Sequence, residues 1–328
     1  MEQKIRIGIV GYGNLGKGAE LAIYQNTDME LVGIFTRRDP ASIQTAHKGV
    51  AVYRYEEMDQ FKDDIDVMIL CGGSASDLPT MSQEIVQQFN IVDSFDNHAK
   101  IPDHIARVEE KAKASGKLGV VSVGWDPGLF SMNRLLGEIV LPTANTYTFW
   151  GDGLSQGHSE AVRRVPGVKD AVQYTVPVPE ELEKARSGEG ASANGADRHK
   201  RVCYVVAEDE DKQADIEQAI KTMPDYFEPY DTTVYFITED ELQTNHSKMK
   251  HGGFVIHAGE TSKGNQQTIE FSLALDSNPE FTASVLVAYA RAAYTLNKVG
   301  DTGAKTAFDI PLSALTHRSS ADIYRSLL

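Results

Sequence analysis

The chain has 328 residues, of which 41% are hydrophobic and 24% charged, and its formal net charge at pH 7 is −15. This length is enough for two domains with their own cores, and the composition is ordinary for a soluble globular protein. The negative charge disfavours nucleic acid or an anionic membrane surface as a partner. Two cysteines are too few for a disulfide framework, so we expect both to be reduced.

We expect neither a targeting segment nor a membrane span. Only a handful of residues precede the first strand-like run, and no apolar stretch with a cleavage site opens the sequence. The most apolar late stretch, residues 283–296, contains Arg291 and is too short to cross a bilayer, so it predicts a core helix. A cytoplasmic location is therefore the default expectation.

The first recognisable motif is a glycine-rich turn. An apolar, β-branched run at residues 5–10 leads into Gly11, Gly13 and Gly16 at G-x-G-x-x-G spacing, and an apolar helical pattern follows. Glycine at these positions permits a tight turn, close approach of the backbone to a pyrophosphate, and close packing of the helix on the strand. The motif alone is a weak signal, but its place between a strand and a helix predicts a dinucleotide-binding fold.

The end of the second predicted strand, residues 30–35, indicates which dinucleotide binds. NAD-preferring sites usually carry an Asp or Glu there, which bonds the ribose hydroxyls. This chain has Thr36, Arg37 and Arg38 instead. A hydroxyl and two guanidinium groups suit a ribose 2′-phosphate, so the sequence favours NADP over NAD. The alternative is two solvated arginines in a loop.

Strand-like and helical segments alternate through residue 126. Further strands are predicted at 66–71, 90–98 and 118–123, with helices at 79–89 and 102–115. The alternation predicts an α/β fold with a mainly parallel, Rossmann-type sheet, whose strands end at one edge. The segments after three strands are expected beside the cofactor there; they are residues 71–77, 93–98 and 123–128. Asp96 and Asp126, in the last two segments, could share a cleft.

The second half of the chain has a different pattern. Segments rich in aromatic and β-branched residues predict strands at 147–150, 171–176, 201–206, 233–237, 253–257 and 268–275. Together with a helical pattern at 213–222, they predict an α+β domain with an open mixed sheet. Residues 186–198 have almost no large apolar side chain and are expected to form a mobile loop.

These patterns predict two domains. A dinucleotide-binding domain is expected at 1–126 and a substrate-binding and dimerisation domain at 127–280. A C-terminal segment at about 281–328, largely helical, is expected to pack back on the first domain.

Short motifs spread along the chain are more informative than the glycine turn. They are GYGNLGKG at 11–18, FTRRDP at 35–40, DNH at 96–98, GWDPG at 124–128, FWGDGLSQGHSEA at 149–161, HKR at 199–201, MPDYF at 223–227, HGG at 251–253 and NPEFTAS at 278–284. Over essentially the whole chain they resemble those of the NADP-dependent meso-diaminopimelate dehydrogenases. The resemblance implies reversible oxidative deamination of the D-centre of meso-2,6-diaminopimelate to L-2-amino-6-oxopimelate (tetrahydrodipicolinate), with ammonia and NADPH as products. It also implies a role in lysine and cell-wall precursor biosynthesis and a homodimer.

The same resemblance implies site residues, position by position. It places Asp96 and Asp126 at the D-centre as catalytic candidates. The substrate-binding set that it implies is Trp125, Trp150, Gln156, Gly157, Thr175, Arg201, His251 and Asn278. The cofactor-binding set is Gly11, Tyr12, Gly13, Asn14, Leu15, Gly16, Thr36, Arg37, Arg38, Cys71, Gly72, Gly73, Ser74, Ser94, Phe95, Asp96, Val123, Gly124, Trp125, Asp126 and Pro127. The chemistry suits the substrate, because carboxylates accept hydrogen bonds from an amine and a guanidinium binds a carboxylate.

Simpler interpretations of these residues stay open. Asp96 and Asp126 could be turn residues, and either tryptophan could be ordinary core packing. Arg201, taken alone, could be a solvated surface charge. No metal is expected, because the late histidines lack metal-ligand spacing; they are His246, His251 and His257.

Two other functions also stay open. One is a different oxidoreductase of similar plan, such as an imine reductase of the dihydrodipicolinate reductase type or a sugar dehydrogenase. The sugar enzymes are disfavoured because the chain has no Glu-Lys-Pro triplet. The other is a nucleotide sensor that binds NADP(H) without turnover.

Overall fold

The computed structural model describes residues 4–74, 76–224 and 226–328. The chain divides into two compact units: unit 1 is Met1–Met132 with Pro279–Leu328, and unit 2 is Asn133–Asn278. Cys71 and Cys203 are free thiols, as predicted. None of the helices in the described ranges combines the length and the hydropathy that a membrane span requires.

Strands and helices follow one another along the described residues. The strands are β1 Ile5–Val10, β2 Met29–Thr36, β3 Val52–Arg54, β4 Val67–Leu70, β5 Asn90–Asp93, β6 Leu118–Val120, β7 Asn145–Trp150, β8 Gly153–Leu154, β9 Val168–Pro177, β10 His199–Ala207, β11 Asp231–Phe236, β12 His251–Ser262, β13 Asn265–Leu275 and β14 Gly303–Lys305. The α-helices are α1 Asn14–Tyr24, α2 Leu78–Ile85, α3 Ile101–Ser115, α4 Leu129–Val140, α5 Gln156–Arg163, α6 Pro179–Ser187, α7 Gln213–Lys221, α8 Glu239–His246, α9 Asn278–Lys298 and α10 Ser320–Leu327.

Unit 1 is built on a seven-stranded sheet with the strand order β14-β6-β5-β4-β1-β2-β3. Every neighbouring pair in this sheet is parallel. From β1 the chain first builds one side of the sheet, through β2 and β3, and then the other side, from β4 onward. This doubly wound arrangement confirms the predicted Rossmann-type fold class. Ligands of such sheets bind where the order reverses, beyond the carboxyl ends of β1 and β4.

Hydrophobic clusters cover both faces of the sheet in unit 1. On one face, β1 packs against α1 and α9 through residues such as Ile7 and Leu286. On the other face, β4 packs against α2 and α3 through residues such as Met68 and Val108. Because both faces are covered, residues 67–70 form an uninterrupted buried run instead of an alternating one. The sheet is therefore a rigid base for the loops at its carboxyl edge.

Unit 2 contains two sheets. One has the order β11-β10-β9-β8 and is mixed, since β10 pairs parallel with β11 and antiparallel with β9. The other has the order β13-β12-β7 and is antiparallel. The predicted open mixed sheet is thus present, but the strands predicted at 147–150, 253–257 and 268–275 form a separate sheet. The reason is that β12 pairs with β13 as a long hairpin and takes β7 as its other neighbour.

Candidate functional site

The glycine turn joins β1 to α1 through backbone that only glycine accommodates. Gly11 has φ +90°, a conformation that side chains disfavour. A Cβ on Gly16 would lie 2.3 Å from the Gly11 carbonyl oxygen, whereas one on Gly13 would have no described atom within 4 Å. The N-cap residue of α1, Gly13, has no side chain to cap the helix, and the first turn has no acidic residue. The N–H groups that open α1 are therefore well placed for an anion such as a pyrophosphate.

A cavity of about 310 Å³ lies beside this turn, where β1, β2 and β4 end. Nine residues of the predicted cofactor set line it: Gly11, Tyr12, Gly13, Thr36, Arg37, Arg38, Cys71, Gly72 and Gly73. Five further lining residues are not in that set, although Asp77 lies in the 71–77 segment expected beside the cofactor: Val10, Phe35, Tyr55, Asp77 and Met81. The cavity thus lies at the point where the strand order of the sheet reverses.

The two arginines of this cavity are held by its walls. Arg37 Nη2 lies 2.6 Å from Asp77 Oδ1. Arg38 donates its backbone N–H to Thr36 Oγ1 at 3.1 Å and a guanidinium N–H to the Tyr12 carbonyl. Burial tends to raise the pKa of Asp77, but hydrogen bonds from Arg37 and from the Gly73 N–H lower it overall. A hydroxyl and two guanidinium groups at the end of β2 fit a ribose 2′-phosphate and offer no acidic acceptor for the ribose diol.

The other predicted cofactor residues of unit 1 belong to segments at the same edge. Asn14, Leu15 and Gly16 form the first turn of α1. Ser74 follows β4, and its Oγ accepts a hydrogen bond from the Asp96 backbone N–H at 2.9 Å. The remaining ones follow β5 or β6; they are Ser94, Phe95, Asp96, Val123, Gly124, Trp125, Asp126 and Pro127.

The buried carboxylate of Asp93, which is not among the predicted site residues, links these segments. Asp93 has no exposed surface, and its Oδ1 accepts the backbone N–H of Ser122 at 2.8 Å. Its Oδ2 accepts the Ser82 hydroxyl at 2.6 Å and lies 2.8 Å from His104 Nε2. The carboxylate therefore connects the ends of β5 and β6 to α2 and α3. Ser82 and Ser122 lie 11 and 29 residues from Asp93 along the chain, so no local sequence pattern predicts these hydrogen bonds.

The two candidate catalytic aspartates follow neighbouring strands. Asp96 is exposed and Asp126 half-buried. Asp126 precedes Pro127 through a cis peptide bond. Trp125 is 8% exposed, and its ring meets the Phe130 ring edge-on at a centroid distance of 5.1 Å. The indole therefore has a core-packing role whatever else it contacts.

In unit 2, Thr175 and Arg201 are cross-strand partners on β9 and β10. The Arg201 guanidinium donates to Thr175 Oγ1 and lies over the Tyr230 ring, 3.9 Å from its centroid. Arg201 is only 7% exposed, and its Nε has no hydrogen-bond partner among the described atoms. Burial lowers the pKa of Arg201. The interpretation of Arg201 as a solvated surface charge is therefore wrong.

His251 lies next to this pair. Gly153 is the partner of Thr175 on β8, and a Cβ on Gly153 would lie 2.4 Å from the His251 ring. Burial lowers the pKa of His251, so the ring is neutral at pH 7. Nδ1 lies 2.8 Å from the Gly252 N and 3.1 Å from the Gly252 carbonyl oxygen. Thr175, Arg201 and His251 thus form one cluster of polar side chains.

Gln156 and Asn278 meet at a different residue, Met249. The Gln156 side-chain amide contacts Met249 Sδ at 3.1 Å, and the Asn278 backbone N–H donates to the Met249 carbonyl at 2.9 Å. Gly157 follows Gln156 in the first turn of α5, with no described atom within 4 Å of a Cβ built on it.

Trp150 is held by a histidine that was not among the predicted site residues. The Trp150 backbone N–H donates to His199 Nε2 at 2.9 Å, and His199 Nδ1 lies 2.9 Å from the Gly195 carbonyl. Burial lowers the pKa of His199 to about 4, so the ring is neutral with its proton on Nδ1. The motif HKR at 199–201 pointed to this region but not to this role.

The late histidines have separate surroundings. His246 Nδ1 lies 3.0 Å from the Tyr174 hydroxyl, and His257 Nδ1 contacts the Thr146 hydroxyl at 2.5 Å while Nε2 lies 2.9 Å from the Leu141 carbonyl. His251 belongs to the Arg201 cluster described above. Within the described residues, no group of three His, Cys, Asp or Glu side chains could hold a metal ion.

Comparison with known proteins gives consistent matches over the whole chain. Residues 124–277 match the model of the diaminopimelic acid dehydrogenase C-terminal domain. The chain is 58% identical over 325 residues to meso-diaminopimelate D-dehydrogenase of Ureibacillus thermosphaericus, with 99% of each chain covered.

Solved structures agree with this match. The Corynebacterium glutamicum DAP dehydrogenase in complex with DAP is 44% identical, with a TM-score of 0.92 and coverage of 99% of this chain and 100% of that one. An engineered D-amino acid dehydrogenase bound to NADP⁺ is 43% identical, with a TM-score of 0.87 and the same coverage. The chain therefore belongs to the meso-diaminopimelate D-dehydrogenase family.

Proposed function

We propose that this chain oxidatively deaminates the D-centre of meso-2,6-diaminopimelate with NADP⁺. The products are L-2-amino-6-oxopimelate, which cyclises to tetrahydrodipicolinate, ammonia and NADPH, in a reversible step of lysine and cell-wall precursor biosynthesis. Family membership supports this reaction.

The substrate assignment rests on one observation, the buried Arg201 guanidinium. Among the described residues no carboxylate pairs with it, and its Nε lacks a hydrogen-bond partner. A buried charge without a counter-ion is costly, so such groups are rare outside ligand sites. A carboxylate of the ligand would complete the guanidinium, and Thr175, His251 and Asn278 would add a hydroxyl, an imidazole and an amide around it.

The family resemblance implies that Asp96 and Asp126 act at the D-centre, where they would accept hydrogen bonds from its amine. That amine must lose its proton before the carbon gives up hydride, so a carboxylate beside it is a route for the proton. Water then attacks the resulting imine and releases ammonia. The same resemblance implies that Trp125, Trp150, Gln156 and Gly157 bind the substrate.

NADP⁺, when bound, supplies the hydride acceptor. The N–H groups at the start of α1 would hold its pyrophosphate, and Thr36, Arg37 and Arg38 its 2′-phosphate. These residues line or adjoin one cavity. Asp77 would act indirectly, by keeping the Arg37 guanidinium at the wall of that cavity.

We propose further that the chain works as a homodimer in the cytoplasm, with a small-molecule substrate and without nucleic acid. The homodimer is what the family resemblance implies. The negative net charge of −15 and the free thiols fit this setting.

The test is a substrate screen with the purified chain. We expect NADPH to form with NADP⁺ and meso-diaminopimelate, and little to form with the L,L isomer. Saturable binding of NADP⁺ without turnover of any diaminopimelate isomer would instead identify a nucleotide sensor. Turnover of a sugar or a cyclic imine, with none of meso-diaminopimelate, would assign one of the other oxidoreductase classes.

A further inference from the structure

Glu20 is a buried carboxylate in α1 that the proposed reaction does not use. Its side chain has no exposed surface. The structure shows no Lys or Arg paired with it in the described parts of the chain. An ionised carboxylate in such a place is costly unless hydrogen bonds compensate it. The burial of Glu20 therefore requires hydrogen bonds to its carboxylate.

Four donors meet the Glu20 carboxylate. The Tyr12 hydroxyl donates to Oε2, and the Ala46 N–H lies 3.1 Å from the same oxygen. The His47 N–H donates to Oε1 at 2.6 Å, and His47 Nδ1 lies 2.9 Å from that oxygen. Burial raises the pKa of Glu20, but these hydrogen bonds lower it overall. Both carboxylate oxygens of Glu20 thus accept hydrogen bonds that compensate for its burial.

This network joins both ends of the loop that carries the arginines. Tyr12 lies in the glycine turn and lines the cofactor cavity, and its carbonyl accepts a hydrogen bond from Arg38 at the start of the loop. At the far end, the Ala46 N–H also donates to the Tyr12 hydroxyl at 3.1 Å, and the His47 ring stacks on Tyr24 at 3.7 Å. Glu20 therefore ties residues 38–47 to α1.

We propose that Glu20 is a positioning residue for NADP selectivity, which acts by holding Tyr12 and the 38–47 loop so that Arg38 faces the cofactor cavity. This proposal rests on the proposed function only in taking NADP as the cofactor. Ordering a loop costs conformational entropy. If the loop is already ordered before the ligand binds, this cost does not reduce the binding free energy of the ligand. NAD⁺ lacks the 2′-phosphate, so its affinity depends much less on where Arg38 lies.

The experiment measures the dissociation constants of NADP⁺ and NAD⁺ by calorimetry, for the full chain and without substrate. For Glu20→Gln we expect the constant for NADP⁺ to rise about tenfold, or about 1.4 kcal/mol, and that for NAD⁺ to change less than about twofold. Tyr12→Phe, which keeps the ring and the carbonyl, should shift the same ratio in the same direction. If Glu20→Gln does not fold, Tyr12→Phe and His47→Ala decide the question.

Two further variants separate positioning from general destabilisation. Asp28→Asn breaks another carboxylate link in unit 1, to Arg291 Nε at 2.6 Å, and should lower the melting temperature without changing the NADP⁺ to NAD⁺ ratio. In an Arg38→Leu background, Glu20→Gln should add little further loss of NADP⁺ affinity, because coupled residues are not additive. The proposal would be overturned if Glu20→Gln left the ratio of the NADP⁺ and NAD⁺ dissociation constants unchanged, as equal weakening of both cofactors would. Additive losses of NADP⁺ affinity in the double variant would also overturn it. Because no substrate is present, the result is independent of turnover of meso-diaminopimelate.

Discussion

Replacing Arg201 by Met should make the protein a worse catalyst without making it less stable. The change removes the hydrogen bond to Thr175 and the contact with the Tyr230 ring, each worth about 2 kcal/mol. It also removes a buried charge with an unpartnered Nε, whose desolvation costs several kcal/mol, on the order of the interactions lost or more. We therefore expect the free energy of unfolding to stay the same or to rise by up to about 2 kcal/mol.

The effect on the reaction should be large and of opposite sign. Removing one partner of a buried guanidinium–carboxylate pair costs about 2–5 kcal/mol, so kcat/KM for meso-diaminopimelate should fall about 30- to 5,000-fold. The assays are urea unfolding and NADPH formation under varied substrate concentration. Lys200→Met is the matched control, because Lys200 is the preceding residue on β10 and pairs with Asp231 at the surface; it should change neither quantity appreciably. A clear loss of stability in Arg201→Met, or an unchanged kcat/KM, would refute the reasoning.

Other residues of the site give further predictions. Gly16→Ala should lower the free energy of unfolding by about 1–3 kcal/mol, because the new Cβ would lie 2.3 Å from the Gly11 carbonyl oxygen. Gly13→Ala should leave the stability unchanged and weaken NADP⁺ binding. Thermal unfolding with and without NADP⁺ measures both effects. Asp126→Ala should abolish turnover while NADP⁺ affinity in calorimetry changes little, and retained turnover would mean that Asp126 is only a turn residue. His199 has a pKa of about 4 in the folded protein and an ordinary pKa of about 6.5 when unfolded, so its contribution to stability is present above about pH 6.5 and is lost as the pH falls toward about 4. Urea unfolding should therefore show that His199→Gln removes about 2 kcal/mol of the stability loss between about pH 7.5 and about pH 5, and an identical pH dependence in the variant would contradict the assignment.

Local signals account for the parts of the fold that the sequence predicts well. The β1–turn–α1 unit depends on an apolar run and on glycines a few residues apart. Thr36 is the last residue of β2, and Arg37 and Arg38 follow it directly at the cavity. The short strands β3 and β14 were missed, because three residues show no periodicity.

The missed parts depend on partners that are distant along the chain. Asp77 lines the cofactor cavity because it pairs with Arg37, 40 residues earlier, and Asp93 acquires its role from a backbone N–H 29 residues later. The division of the strands of unit 2 between two sheets likewise depends on which strand β12 meets, and side-chain alternation does not contain that information. Sequence patterns thus locate the candidate site residues better than the network that holds them.

The discontinuity of unit 1 has a consequence for how the chain is made. The helix α9 fills the face of the sheet that β1 presents, with fully buried side chains such as Leu286 and Ala290. All of unit 2 leaves the ribosome between β1 and this helix. The part of this face that α9 covers therefore stays exposed until α9 is synthesised, although α1 already packs on the same face. Unit 2, which is continuous, can fold as soon as it emerges. We expect the unit that contains the nucleotide fold, although it is synthesised first, to be the last to reach its native state and the one that needs protection from aggregation in the meantime.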